Sequence, residues 1–77
     1  MVKADIRIKL GKRMRALRAK KGYSQGELAK RAGLSLPYIQ MLEGIEPKRR
    51  RSATIITLEK LSNGFGISLS ELLDFDN

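Results

Sequence analysis

Cysteine and histidine are both absent from the 77 residues. Without cysteine, neither a disulfide framework nor a thiolate metal site can staple the chain, and apolar packing has to hold it together. Without histidine, the usual general base, the pH switch and the commonest metal ligand are missing at once. No nucleophile stands paired with a base and no ligand cluster has metal spacing, so an enzyme, a metal site and a bound cofactor are not expected. No apolar run approaches the roughly 18 residues of a membrane span. The start, Met1-Val2-Lys3-Ala4-Asp5, also lacks the apolar stretch of a secretory signal, and a cytoplasmic protein is expected. Strand-like alternation, internal repeats and linkers are lacking too. One all-α domain over residues 1–77, with its core at about residues 5–74, follows from that and from a length that supports a single small core.

Acidic residues are outnumbered, eight to sixteen Lys and Arg, which leaves a net charge of +8. Such a field draws polyanions and repels other basic proteins, which makes nucleic acid the first partner to test.

The apolar pattern is helical throughout. Ile6, Leu10, Met14 and Leu17 draw one stripe along a first helix from Asp5 to Lys21, and Gly22 closes it. Ser24-Gln25-Gly26-Glu27 reads as a capping box that starts a second helix, with Leu28, Ala29 and Ala32 inward and Gly33 ending it after about two turns. Ser35 caps a third helix almost at once, Pro37 sits in its first turn, and Ile39 and Leu42 form its buried side. Two short helices around a tight glycine turn are the unit that presents its second helix to a DNA groove. Residues 44–53, with Pro47 and the cations Lys48, Arg49, Arg50 and Arg51, read as a surface loop. Ile55, Leu58, Leu61 and Phe65 then mark a fourth helix, capped by Thr54 or Ser52, which the run Asn63-Gly64-Phe65-Gly66 weakens and stops. Ser68-Leu69-Ser70-Glu71 is a second capping box, opening a short fifth helix with Leu69, Leu72 and Leu73 on its apolar side. Phe75 is placed to find a partner in a tail that otherwise frays.

At Ser24-Gln25-x-x-Leu28-Ala29-x-x-x-Gly33-Leu34-Ser35-x-x-x-Ile39-x-x-x-Glu43 the chain resembles the phage repressor and Cro family of helix-turn-helix proteins, also called the xenobiotic-response-element family. The resemblance extends back through Met14, Arg15, Leu17 and Arg18 and forward through Leu58, Leu61, Phe65, Ile67 and Ser68. It implies a compact five-helix, lambda-repressor-like domain whose second helix braces the third in the major groove of double-stranded DNA. It also implies a homodimer on a two-fold symmetric operator.

Carried over by position, the resemblance puts Leu36, Pro37, Gln40 and Met41 against base edges. Gln can pair bidentately with adenine, whereas Leu, Pro and Met offer apolar contact to thymine methyls, with DNA shape supplying the rest. Gln25 matches a glutamine that bonds phosphate at a helix N-terminus, and Ser24 and Ser35 are caps with phosphate contact as a second role. Tyr38 matches a tyrosine of restriction-modification controllers that touches the backbone or the deformed centre of the site. Arg18 and Glu43 match a structural ion pair, which makes Arg18 a brace and not a DNA ligand.

Lys48, Arg49, Arg50 and Arg51 depart from the family pattern, whose loop reaches the fourth helix in fewer residues. Four cations there suit flanking phosphates or a narrow minor groove, the alternative being a solvated charge run. Lys12, Arg13 and Arg15 are weaker candidates for the same role. The expected function is sequence-specific DNA binding as a transcriptional regulator: free-standing repressor, restriction-modification controller or self-repressing antitoxin. A protein-interaction adaptor that keeps the fold without base readout is the alternative, which the apolar face of Leu36, Pro37 and Met41 would suit. Dimerisation is expected from the habit of the family that the chain resembles and from Leu69, Leu72, Leu73 and Phe75 near the C-terminus, some of which exceed what one small core can bury. A chain this short leaves little room for a small-molecule pocket, and no such substrate is expected.

Overall fold

The computed structural model describes residues 5–44 and 53–75, and the loop cations Lys48, Arg49, Arg50 and Arg51 lie outside them. These residues form α1 (Ile6–Lys21), α2 (Gln25–Ala32), α3 (Leu36–Glu43), α4 (Ile55–Phe65) and α5 (Leu69–Leu72), with no strand among them.

Each start is set by a short polar side chain that accepts from a backbone N–H the first turn cannot otherwise satisfy. Asp5 accepts from Arg7, Ser24 from Glu27, Ser35 from Tyr38, Thr54 from Thr57 and Ser68 from Glu71. Thr54, and not Ser52, is therefore the cap of α4. The capping box at Ser68 is complete, since Glu71 Oε1 also accepts from the Ser68 N–H at 3.3 Å. At Ser24 only half of the expected box forms. The Glu27 carboxylate turns instead to Arg31, whose Nε lies 3.1 Å away one turn along the same face and offers a charged donor.

The turn between α2 and α3 depends on Gly33, at φ 68°, a left-handed conformation that any side chain would strain. Its short reach makes α3 start within four residues of the end of α2. Two interior glycines allow helices to touch backbone to backbone. A Cβ on Gly11 would lie 2.9 Å from the Leu42 carbonyl oxygen of α3, and one on Gly64 would lie 3.0 Å from Ala32 of α2. Within the run Asn63-Gly64-Phe65-Gly66, α4 passes through Gly64 and stops at Gly66.

Met14, Leu28, Ile39, Leu61, Leu72 and Phe65 are sealed at the centre, with Leu10, Leu17, Ala29, Ala32 and Leu42 around them. Tyr23 stacks on Phe65 with ring centroids 6.4 Å apart. The predicted stripes overreach at two helix starts. Ile6 is 65% exposed and Ile55 71% exposed, because each sits in a first turn that the described residues do not cover. Burial also overturns part of the expected dimer surface: Leu72 belongs to the core, and Leu69, Leu73 and Phe75 pack against it half-buried.

Candidate nucleic-acid interface

α3 has two different sides. Ile39, Leu42 and Glu43 are buried against α1 and α2, while Leu36, Pro37 and Gln40 are exposed and Met41 is half-buried at the edge. Positions 36, 37, 40 and 41 lie one turn apart in pairs and so share one strip of the helix. The inner side cannot roll outward, since the backbone of α3 presses on Gly11. Pro37, at the second helical position, removes an N–H that the helix would not have used and keeps the first turn stiff.

The C-terminal end of α3 is clamped by charge. Glu43 is only 4% exposed, and its carboxylate takes Arg18 Nε at 2.8 Å on Oε2 and Arg18 Nη2 at 2.7 Å on Oε1. Arg18 Nη1 reaches on to the Tyr23 carbonyl at 3.2 Å, so one guanidinium ties α1 to both the α1–α2 connection and α3. The hydrogen bond to Glu43 holds the Arg18 guanidinium above its ordinary value, with burial opposing and the Glu43 charge assisting. Arg15 caps the same end of α3 by donating to the Glu43 carbonyl, and Arg13 does likewise for α5 at the carbonyls of Glu71 and Leu72.

A third group joins the clamp. Gln25, the first residue of α2, donates from Nε2 to Glu43 Oε1 at 3.2 Å. Ser24 and Ser35 are exposed and serve as caps. Tyr38 lies half-buried, and its hydroxyl donates to Thr57 Oγ1 at 3.4 Å, which ties α3 to the start of α4.

Every arginine among the described residues has a partner inside the chain: Arg7 with Asp5, Arg13 with α5, Arg15 and Arg18 with Glu43, Arg31 with Glu27 and the Tyr23 ring. Arg13 and Arg15, considered above as phosphate ligands, are helix braces in this arrangement. Lys9, Lys12, Lys20, Lys21 and Lys30 are the exposed lysines of α1 and α2. The sequence shows which residues are cationic, but not which of them find a carbonyl contributed by a distant helix. Among the described residues no His, Cys, Asp and Glu group could hold a metal ion, and no helix is long and apolar enough to cross a membrane.

The profile of the helix-turn-helix family matches residues 14–72, from the middle of α1 to the end of α5. The chain belongs to the Cro/C1-type helix-turn-helix family of DNA-binding transcriptional regulators. Among curated helix-turn-helix relatives, the uncharacterized transcriptional regulator y4dJ of Sinorhizobium fredii is 38% identical over 69 residues, covering 90% of this chain and 84% of its own. The solved structure of the restriction-modification controller protein C.AhdI from Aeromonas hydrophila superposes with a TM-score of 0.75 at 33% identity, over 86% of this chain and 94% of that one. A second helix-turn-helix controller, C.Esp1396I, solved bound to a 19 base pair DNA duplex, gives a TM-score of 0.75 at 27% identity over 91% and 92%.

Proposed function

We propose that this helix-turn-helix protein is a sequence-specific regulator that sets α3 into the major groove of its operator as a homodimer. Gln40 reads adenine through its amide, and Leu36, Pro37 and Met41 take thymine methyls, so that base readout rests on few hydrogen bonds and partly on DNA shape. Ser24, Gln25, Ser35 and Tyr38 face phosphates beside the groove, joined by Lys48, Arg49, Arg50 and Arg51. The observation that carries this reading is the division of α3. Its inner side is locked by Ile39, Leu42 and Glu43, while Leu36, Pro37 and Gln40 are exposed among the described residues.

Support for a dimer comes from the start of α4. Ile55 and Ile56 are 71% and 64% exposed, two adjacent large apolar side chains. A second copy related by a two-fold axis would cover both pairs, placing two α3 helices on successive half-sites about 34–36 Å apart. The DNA complex of the related controller C.Esp1396I supports duplex DNA as the ligand. The place of action is the cytoplasm, where such a duplex would lie.

Selection from a randomised duplex library tests this directly, followed by titration of the best site and an unrelated duplex across a range of salt. The expected result is a symmetric consensus bound on the order of a thousandfold more tightly than the unrelated duplex, with a steep salt dependence. Equal, weak binding to every sequence would overturn base readout and leave the exposed face of α3 as a protein-binding surface.

A further inference from the structure

We infer that Glu43 is a positioning residue for DNA, acting through Gln25 in addition to holding Arg18. The inference rests on the reading that the N-terminus of α2 meets a phosphate. A carboxylate only accepts hydrogen bonds, and Glu43 Oε1 stands 3.2 Å from the Gln25 amide nitrogen. That contact fixes which way the amide faces, since the reversed orientation would set the Gln25 carbonyl oxygen against a buried negative charge.

An amide nitrogen carries two hydrogens. Glu43 takes one, and the other is left to donate at the first turn of α2, where the backbone N–H groups also favour an anion. Glu43 is itself held, because Arg18 grips both of its oxygens at 2.7 and 2.8 Å. A chain of three residues from α1, α3 and α2 therefore aims one N–H outward before any DNA arrives. The ordering of a long, flexible side chain, which costs free energy when it happens on binding, has here been completed by folding. The same carboxylate sits at the end of the reading helix, so the position of α3 and the aim of the phosphate donor are set by one group.

A double-mutant cycle of Gln25→Ala, Glu43→Gln and the pair, titrated on the selected operator and on an unrelated duplex at several salt concentrations, tests the inference. Each single variant is expected to bind about fivefold to tenfold more weakly, the size of one hydrogen bond. The double variant should be no weaker than the worse single one. Because Gln25 is uncharged and is assigned no base contact, Gln25→Ala should leave the salt slope and the ratio between the two duplexes unchanged.

Losses that multiply in the double variant, or Gln25→Ala binding as tightly as the parent, would overturn the inference and leave the proposed function standing. Absence of binding to any duplex would overturn both. Should Glu43→Gln fail to fold, the unaltered chain gives the answer by NMR of the Gln25 side-chain amide. One of its protons is expected downfield in the free protein, with the other moving only as operator is added. Two protons at the positions of an unstructured glutamine would refute it.

Discussion

Arg18 and Glu43 stand 25 positions apart in sequence and meet in a two-pronged ion pair, with the carboxylate sealed from solvent and the guanidinium only partly so. Its geometry matters more than its charge. Two parallel N–H···O bonds fix both the separation and the roll of α3 relative to α1, which a single contact would not.

Removing one partner should therefore be costly. Glu43→Ala strands the Arg18 charge in a site built for a carboxylate, and a loss of about 3–5 kcal/mol is expected in urea unfolding. Replacing both residues with apolar side chains of similar volume should cost much less, and equal losses for the single and paired changes would show that packing, not charge, dominates there. The Arg18 guanidinium is held above its ordinary value, so its contribution is fully present below that value and lost only as pH rises through the still higher folded one. Unfolding free energy measured from pH 6 to 9 should show no step from this arginine.

Gly11→Ala sets helix propensity against space. The change should gain about 1 kcal/mol in an isolated helix. Here the new Cβ would come 2.9 Å from the Leu42 carbonyl oxygen, a backbone atom that cannot swing aside. A net loss of about 1–3 kcal/mol is expected, read as a fall in melting temperature, together with weaker operator binding as α3 is pushed outward. A more stable variant would refute the close contact.

Gln40→Ala and Arg50→Ala should separate readout from attraction. The first is expected to relax preference at one adenine, costing about 1–3 kcal/mol on the operator and little on unrelated DNA. The second should weaken all duplexes alike and lower the salt slope by about one. Identical profiles for the two variants would show that neither assignment holds.

Ile55→Ser together with Ile56→Ser should leave folding nearly unchanged, since both side chains are already in solvent. Sedimentation of the variant is expected to show a monomer under conditions where the parent dimerises, and operator binding should weaken with loss of the symmetric mode. A variant that still dimerises would move the interface elsewhere.

Much of the fold was legible because its decisive residues act locally. Ser24, Ser35 and Ser68 announce helix starts through bonds spanning three residues, and Gly22 and Gly33 end helices within their own turn. Periodicity failed where it has least information, in the first turns at Ile6 and Ile55, since spacing shows a face but not how far the covering helices extend. The exposed face of α3 was legible as the remainder left by Ile39 and Leu42. The engagements of the arginines were not: Arg13 and Arg15 bond carbonyls 58 and 28 positions away, and a long side chain carries no local sign of its partner. Gly11 did carry a sign, a glycine placed between Leu10 and Met14 on a buried stripe, and its meaning appears only with α3 lying across it.

The division of labour among the cations has a consequence for how this surface could change over time. With Arg13, Arg15 and Arg18 tied to carbonyls and a carboxylate of distant helices, altering one of them risks the fold, while the exposed lysines of α1 and α2 face solvent. On the proposed reading, overall attraction to DNA can then drift upward or downward by lysine exchange, and the operator sequence by exchange at the exposed positions 36 and 40, with little disturbance of the scaffold. Duplicated copies of such a chain could diverge to separate operators through a handful of substitutions, which makes the architecture readily evolvable.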